Sequence, residues 1–239
     1  MTNISNKLQK IFVKTKNGQK EFIVFKKTLY PFNILKGESY PIFNFITKPK
    51  NIFDIGANIG TASFFFAEHY PESKIYSFEP ARDLMPILQK NLNSYKNISI
   101  INKAVKDIND KKSKLFIDSH NYDGSSLHSE YINSNDLNVN NFEIVETINI
   151  ADFCLENKIK EIDILKIDAE GSEYDILYSL NNSITKISVI YCESHNSKNY
   201  LKINNLLEKS HKIIRDYKKN NDLFETVYVR KKYYEKYFK

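Results

Sequence analysis

Cysteine is scarce in this chain. Only Cys154 and Cys192 occur among 239 residues, far apart and in no C-x-x-C pair. That argues against a structural zinc site and leaves a cytoplasmic protein with ordinary buried thiols as the expectation. No stretch approaches the ~18 consecutive apolar residues that span a bilayer. The opening residues, MTNISNKLQKIFVKTKNG, have neither an apolar run nor a small-residue cleavage site, so no secretory leader is expected. Internal repeats and low-complexity linkers are also absent, as in one domain of ordinary size.

What is present is the balance of a globular chain, 41% hydrophobic and 27% charged. The net charge of +6 is spread along the sequence, and the dense basic cluster is the tail VRKKYYEKYFK at 229–239. A solvated end accounts for that tail; a surface for a membrane, a nucleic acid or an anionic substrate is the alternative.

Residues 1–50 carry two β-type runs, KIFVKT and EFIVFKK, joined by Asn17-Gly18, a hairpin signal. They read as a short N-terminal β-containing appendage to a domain over 51–239. From residue 51 apolar strands alternate with helical patterns: NIFDI, then a helix ended by Pro71, then KIYSF, ARDLMPILQKNL and ISIINKAV. KLFID, FEIVETINI, ADFCLENK, EIDILKID, SEYDILYSL, ISVIYCE, KNYLKINNLLEKS, HKIIRDY and LFETVYVR continue the series. Ser172 and Asp175 have capping-box spacing and place a helix start just after Gly171. The alternation predicts a mostly parallel α/β sheet with helices on both faces and ligands at the strands' carboxyl ends.

Glycine is also sparse, with six in all, and two of them punctuate DIGANIGTAS at 54–63. A P-loop is excluded, because Thr61 stands where its second glycine belongs and no lysine follows. A dinucleotide fingerprint fails as well, since Asn58 and Thr61 occupy two of its glycine positions. An acid followed by glycines at i+2 and i+6 remains: Asp54, Gly56 and Gly60. A second acid, Glu79, ends the next strand. This arrangement suits a nucleoside carrying an amino acid. Gly56 lets backbone pass close to a ligand, and Gly60 opens a helix whose free N–H groups can meet a carboxylate. Glu79 is an acceptor-only group matched to a ribose diol.

FDIGANIG, FEP and above all LKIDAEGSEYDIL resemble the FkbM family of S-adenosylmethionine-dependent methyltransferases over roughly residues 50–195. The resemblance implies a class I methyltransferase (Rossmann-like) fold, a seven-stranded mixed sheet whose last strand is antiparallel. It also implies O-methylation of small molecules, sugars or glycans. By the same resemblance Asp54, Gly56, Ala57, Asn58 and Gly60 line the methionine part of the cofactor, Glu79 takes the ribose, and Ala104 lies where adenine is contacted. The family commonly has T-L-D before the ADFC helix; here NIA aligns, so Ala151 replaces its aspartate, with Asp152 adjacent.

Methyl transfer from a sulfonium needs chiefly alignment, which can supply ~7–11 kcal/mol, while a positioned base adds ~10²–10⁴-fold. Candidate groups follow two strands: Asp168 and Glu170 after ILKI, Glu193 and His195 after SVIYC. The spacing of two puts each pair on one side if the backbone stays extended. His195 is the candidate base, since a free imidazole titrates near ~6.5. Asp168 and Glu170 can orient the acceptor, face the cationic cofactor or bind a divalent cation. The spacing matches no standard metal motif, so no metal site is expected. Glu173, in a helix's first turn, is read as a dipole partner. The loop NYDGSSLHSEY at 121–131 is a candidate cover for the acceptor.

The expectation is therefore an O-methyltransferase acting on a hydroxyl of a sugar, glycan precursor or other small metabolite. A nucleic-acid methyltransferase is a rival encouraged by the basic tail, although no N/D-P-P-[YF] motif appears. A non-catalytic binding module that keeps the cofactor pocket is the third reading.

Overall fold

Asn17-Gly18 reverses the chain as its sequence predicts, pairing β1 (Leu8–Thr15) with β2 (Gly18–Phe25) antiparallel, Thr15 opposite Gly18. The computed structural model describes residues 4–26, 29–108, 111–118, 125–131, 141–219 and 222–239. Phe22 and Val24, alternate residues of β2, are fully buried. They pack onto the rest of the molecule: Phe22 meets Phe64 edge-on at 5.2 Å, and the Asn91 side chain bonds both the N–H and the carbonyl of Ile23. A short helix, α1 (Tyr30–Leu35), follows.

The alternating series then begins with β3 (Asn51–Ile55), α2 (Thr61–His69), β4 (Lys74–Phe78), α3 (Met85–Leu92) and β5 (Ile98–Ile101). α2 is buried from Thr61 to Ala67, so no polar face is needed. The hairpin covers one side of it through Phe64, and the sheet takes Phe66 on the other.

ISIINKAV, expected as one strand, is two. β5 ends at Ile101, where the Asn102 side chain donates to the carbonyls of Glu79 and Pro80 at 2.8 and 3.0 Å. Ala104–Lys106 then leaves the main sheet as β6. Together with β7 (Lys112–Phe116) and β8 (Phe142–Asn149) it builds a second, three-stranded sheet in the order β6–β8–β7. Of the loop expected to cover the acceptor, residues 121–124 lie outside the described residues.

α4 (Ile150–Glu156) is capped by Asn149, whose Oδ1 accepts from Ala151 N at 2.8 Å. β9 (Ile164–Ile167), α5 (Glu173–Ser179), β10 (Val189–Ser194), α6 (Ser197–Leu207), β11 (His211–Lys218), β12 (Phe224–Arg230) and α7 (Lys231–Tyr237) complete the chain. α5 starts where Ser172 predicted, but the capping box is not made: the Ser172 side chain caps nothing and contacts His128 Nε2 at 3.2 Å. The basic tail forms α7, with Tyr233 and Tyr237 stacked on Phe45.

The main sheet has seven strands in the order β11–β12–β10–β9–β3–β4–β5, and β12 alone runs against its neighbours. Alternate residues of β3 feed two cores. Phe53 and Ile55 join Phe153, Ile176 and Leu207 on one face, while Ile52 joins Ala62, Phe66 and Ile34 on the other. Helices thus cover both faces, and the carboxyl ends of β3, β4, β9 and β10 are left to build a site.

Candidate active site

Those strand ends border one cavity of about 510 Å³, within the range of small-molecule sites. Gly56, Ala57, Asn58, Glu79, Ala104 and Asp168 all line it, as do Glu170, Glu193 and His195. Ser125 and Leu127, from the described part of the expected cover loop, line it too. Asp54 and Gly60 do not; they lie behind the wall.

Gly56 is required by the protein itself. Its φ is +73°, and a Cβ there would sit 1.8 Å from the carbonyl oxygen of Asp168. From the sequence that space is expected to admit a ligand, whereas the structure fills it with the Asp168 backbone just after β9. A Cβ on Gly60 would press on Leu88 and Leu92 of α3, so that glycine serves helix packing.

Glu79 is 6% exposed and turned inward. Its Oε2 accepts from Asn58 N at 2.8 Å and its Oε1 from Ala81 N at 2.9 Å. Burial pushes the carboxyl up to about 7, against the pull of those two amides. Each oxygen keeps a second lone pair, so the group can still accept from a ligand's hydroxyls.

Asp54 is fully buried, held by Ser63 Oγ at 2.6 Å and by Lys166 Nζ at 3.3 Å. Lys166, inside β9, also donates to Gly56 O at 2.6 Å and Ile55 O at 3.2 Å, and lies 3.7 Å from Asp168. Burial works against its charge, but Asp54 and Asp168 more than compensate and hold its pKa above the ordinary lysine value. This ammonium ties the glycine turn to the neighbouring strand. In the sequence Lys166 stands out only as part of the KIDAEGSE signature. The signal was a lysine within an otherwise apolar four-residue strand, ILKI, which is costly unless paired.

The second constellation surrounds His195. Its Nε2 lies 3.2 Å from Glu170, 3.7 Å from Asp168 and 3.9 Å from Glu193, and its Nδ1 lies 2.8 Å from Glu173 Oε1. The proximity of Asp168 and Glu170 does not come from an extended backbone, as expected. β9 ends at Ile167 and Glu170 is left-handed, with φ +46°. Ser126 Oγ donates to the Glu170 carbonyl at 2.5 Å, buttressing that turn. Lys219 reaches Glu193 at 3.4 Å and Glu225 at 2.6 Å.

Burial alone would lower the His195 pKa, but Glu173, then Glu170 and Asp168, raise it to about 10. Burial shifts Glu170 and Glu193 upward, helped by their neighbouring carboxylates. The surrounding carboxylates thus favour the protonated ring, against the free base its intrinsic pKa suggests. Asp168, Glu193 and His195 each offer one metal-ligand type of atom within 4.8 Å of the others. All three are also engaged within the protein, with Lys166, Lys219 and Glu170 respectively. Ala151, at the family's aspartate position, does not line the cavity.

A seven-stranded sheet with one reversed strand, an acid closing its second strand and a cavity across the strand ends define a class I methyltransferase. The chain belongs to the FkbM methyltransferase family, whose model, the Methyltransferase FkbM domain, matches residues 54–222. It is thus an S-adenosylmethionine-dependent methyltransferase. Its curated relatives include the 2-O-methyltransferase NoeI of Sinorhizobium fredii (strain NBRC 101917 / NGR234), 24% identical over 173 residues. That match covers 66% of this chain and 69% of NoeI. Methyltransferase 1 of Beauveria bassiana (strain ARSEF 2860) is 27% identical over 162 residues, 60% of this chain and 65% of that protein. Among solved structures, the fibrillarin pre-rRNA processing protein of Methanococcus jannaschii superposes with a TM-score of 0.53 at 13% identity. That superposition covers 93% of this chain and 83% of fibrillarin, a likeness of fold alone. Among the described residues no helix is long and apolar enough to cross a membrane.

Proposed function

We propose that the protein transfers a methyl group from S-adenosylmethionine to a hydroxyl of a sugar, glycan precursor or other small polyhydroxylated metabolite. The observation that carries this reading is the continuity of one cavity from the inward-turned Glu79 carboxylate to the His195 cluster. When bound, S-adenosylmethionine supplies an already activated methyl group. Glu79 would accept from its ribose hydroxyls, Ala57 and Asn58 would hold its amino-acid end, and Ala104 would meet its adenine; all four line the cavity. Asp168 would face the cationic centre, where a carboxylate is favourable.

Glu170 and His195 align the acceptor, and its proton passes to the Glu170 carboxylate with the protonated ring of His195 beside it. With 3.2 Å between them, the two titrate as a pair. Alignment contributes most of the acceleration, so losing this pair should leave slow but measurable transfer.

The acceptor end carries Asp168, Glu170 and Glu193 against one imidazole and Lys219. With Lys166 also paired to Asp168, carboxylates and cations there are evenly matched. That gives the phosphates of a nucleic acid no basic track and favours a neutral acceptor despite the chain's +6 charge. The name of NoeI, a 2-O-methyltransferase, supports an oxygen acceptor. Incubation with labelled S-adenosylmethionine and a panel of oligosaccharides, polyols and RNA tests the proposal. Label on a carbohydrate or polyol oxygen supports it, and label on RNA alone refutes it.

A further inference from the structure

Glu173 opens α5 yet is completely buried, an unusual place for a carboxylate that serves only a helix end. Its Oε1 receives three donors: Gly171 N at 2.9 Å, Ala169 N at 3.2 Å and His195 Nδ1 at 2.8 Å. Two of these fold the turn that carries Glu170, and the third comes from the neighbouring strand's end. The last acid of KIDAEGSE thus fastens its own turn and the histidine beside it.

Oε1 already accepts from two backbone amides, so it meets the ring as an acceptor, and Nδ1 is the donor in this contact. We infer that Glu173 is the positioning residue of the site, holding His195 with Nδ1–H toward the core and Nε2 toward the cavity. Had Glu173 served only the two backbone amides, a neutral side-chain amide oxygen would do as well. The imidazole is the partner that a carboxylate suits better than an amide. With Nδ1 fixed in this way, proton exchange with the acceptor side runs through Nε2, beside Glu170. The catalytic meaning of that constraint rests on the methyltransferase reading above; the hydrogen bond and the protonation of Nδ1 do not.

The charged groups facing the ring are Asp168 and Glu170 from the turn after β9, Glu173 from α5 and Glu193 from β10. Lys219, just after β11, reaches the cluster through Glu193. Glu173→Gln keeps the side chain's size and an oxygen for the amides, removes one charge and leaves the others in place. NMR titration of the imidazole, with the wild type alongside, is the test. His195 should titrate at least one pH unit lower in the variant, a tenfold change in proton affinity. kcat should fall at least tenfold with its pH profile displaced in the same direction, while S-adenosylhomocysteine affinity stays within about threefold. An unchanged His195 titration overturns the inference, because a purely structural carboxylate would leave the ring alone. If the variant does not fold, the nitrogen-15 spectrum of the wild type decides. An Nδ1 proton hydrogen-bonded to the Glu173 carboxylate supports the assignment, and an Nδ1 that is bare or bonded only to water refutes it. Failure of the wild type to bind S-adenosylhomocysteine would overturn the methyltransferase reading instead, and the spectrum would still decide the role of Glu173 in holding the ring.

Discussion

Lys166 Nζ donates to the carbonyl oxygen of Gly56 across 2.6 Å, joining the turn after β3 to the strand beside it. The same ammonium neutralises Asp54, which is wholly buried. Removing one member of a buried ion pair strands the other without water or counter-charge, at a cost of about 3–5 kcal/mol. Lys166→Met should lose about that much stability in urea denaturation. A loss below ~1 kcal/mol would mean that the pair does not hold the turn.

Gly56→Ala tests the same junction from the other side. The added methyl would lie 1.8 Å from the Asp168 carbonyl, where no rotamer can relieve it, and the φ of +73° disfavours alanine further. A loss of at least ~3 kcal/mol is expected from this overlap, lowering the melting temperature by roughly 6–12 °C in a domain of this size. A wild-type melting temperature would contradict the close approach of the glycine turn to the backbone after β9.

How much of this was legible in the sequence differs between fold and site. The succession of strands and helices follows from alternating apolar runs, and FDIGANIG and KIDAEGSE identify the family before any coordinates. The break in ISIINKAV was not legible, because it depends on Asn102 reaching the carbonyls of Glu79 and Pro80, a contact between separate strands. Lys166 and Glu173 were seen but not understood for a related reason. A charged residue's function depends on the partner opposite it, and Gly56 and His195 lie far from them in sequence. His195 itself was found, while its charge state was not, since an intrinsic pKa cannot register the carboxylates around the ring.

Glu79→Ala should weaken S-adenosylhomocysteine binding by about 1–3 kcal/mol, the cost of losing charged hydrogen bonds. Isothermal calorimetry on the variant checks this, and unchanged affinity would remove the ribose assignment.

Because burial raises the Glu79 carboxyl to about 7, binding should also depend on pH. The ionised form is the better diol acceptor, so affinity should rise between pH 6 and pH 8, and Glu79→Ala should flatten this part of the profile. In the ligand-free protein the sign is the opposite. A carboxyl whose folded pKa lies above its unfolded value binds its proton more tightly when folded. Its contribution to stability is full below the unfolded pKa of about 4.5 and is lost as the pH rises through about 7. Melting temperatures across that window, compared with those of the variant, provide the second check.

Glu170→Gln and His195→Gln should each reduce kcat by about 10²–10⁴-fold on an accepted substrate with little change in cofactor affinity. Because the two act as a pair, the double variant should be scarcely slower than either single one. Multiplicative losses would show that they work independently.

The most direct single measurement is calorimetric titration of the wild-type protein with S-adenosylhomocysteine. One molecule should bind per chain, with an affinity that depends on the inward-facing carboxylate at the end of β4. Absence of binding at high protein concentration would contradict the cofactor site on which the proposed chemistry depends.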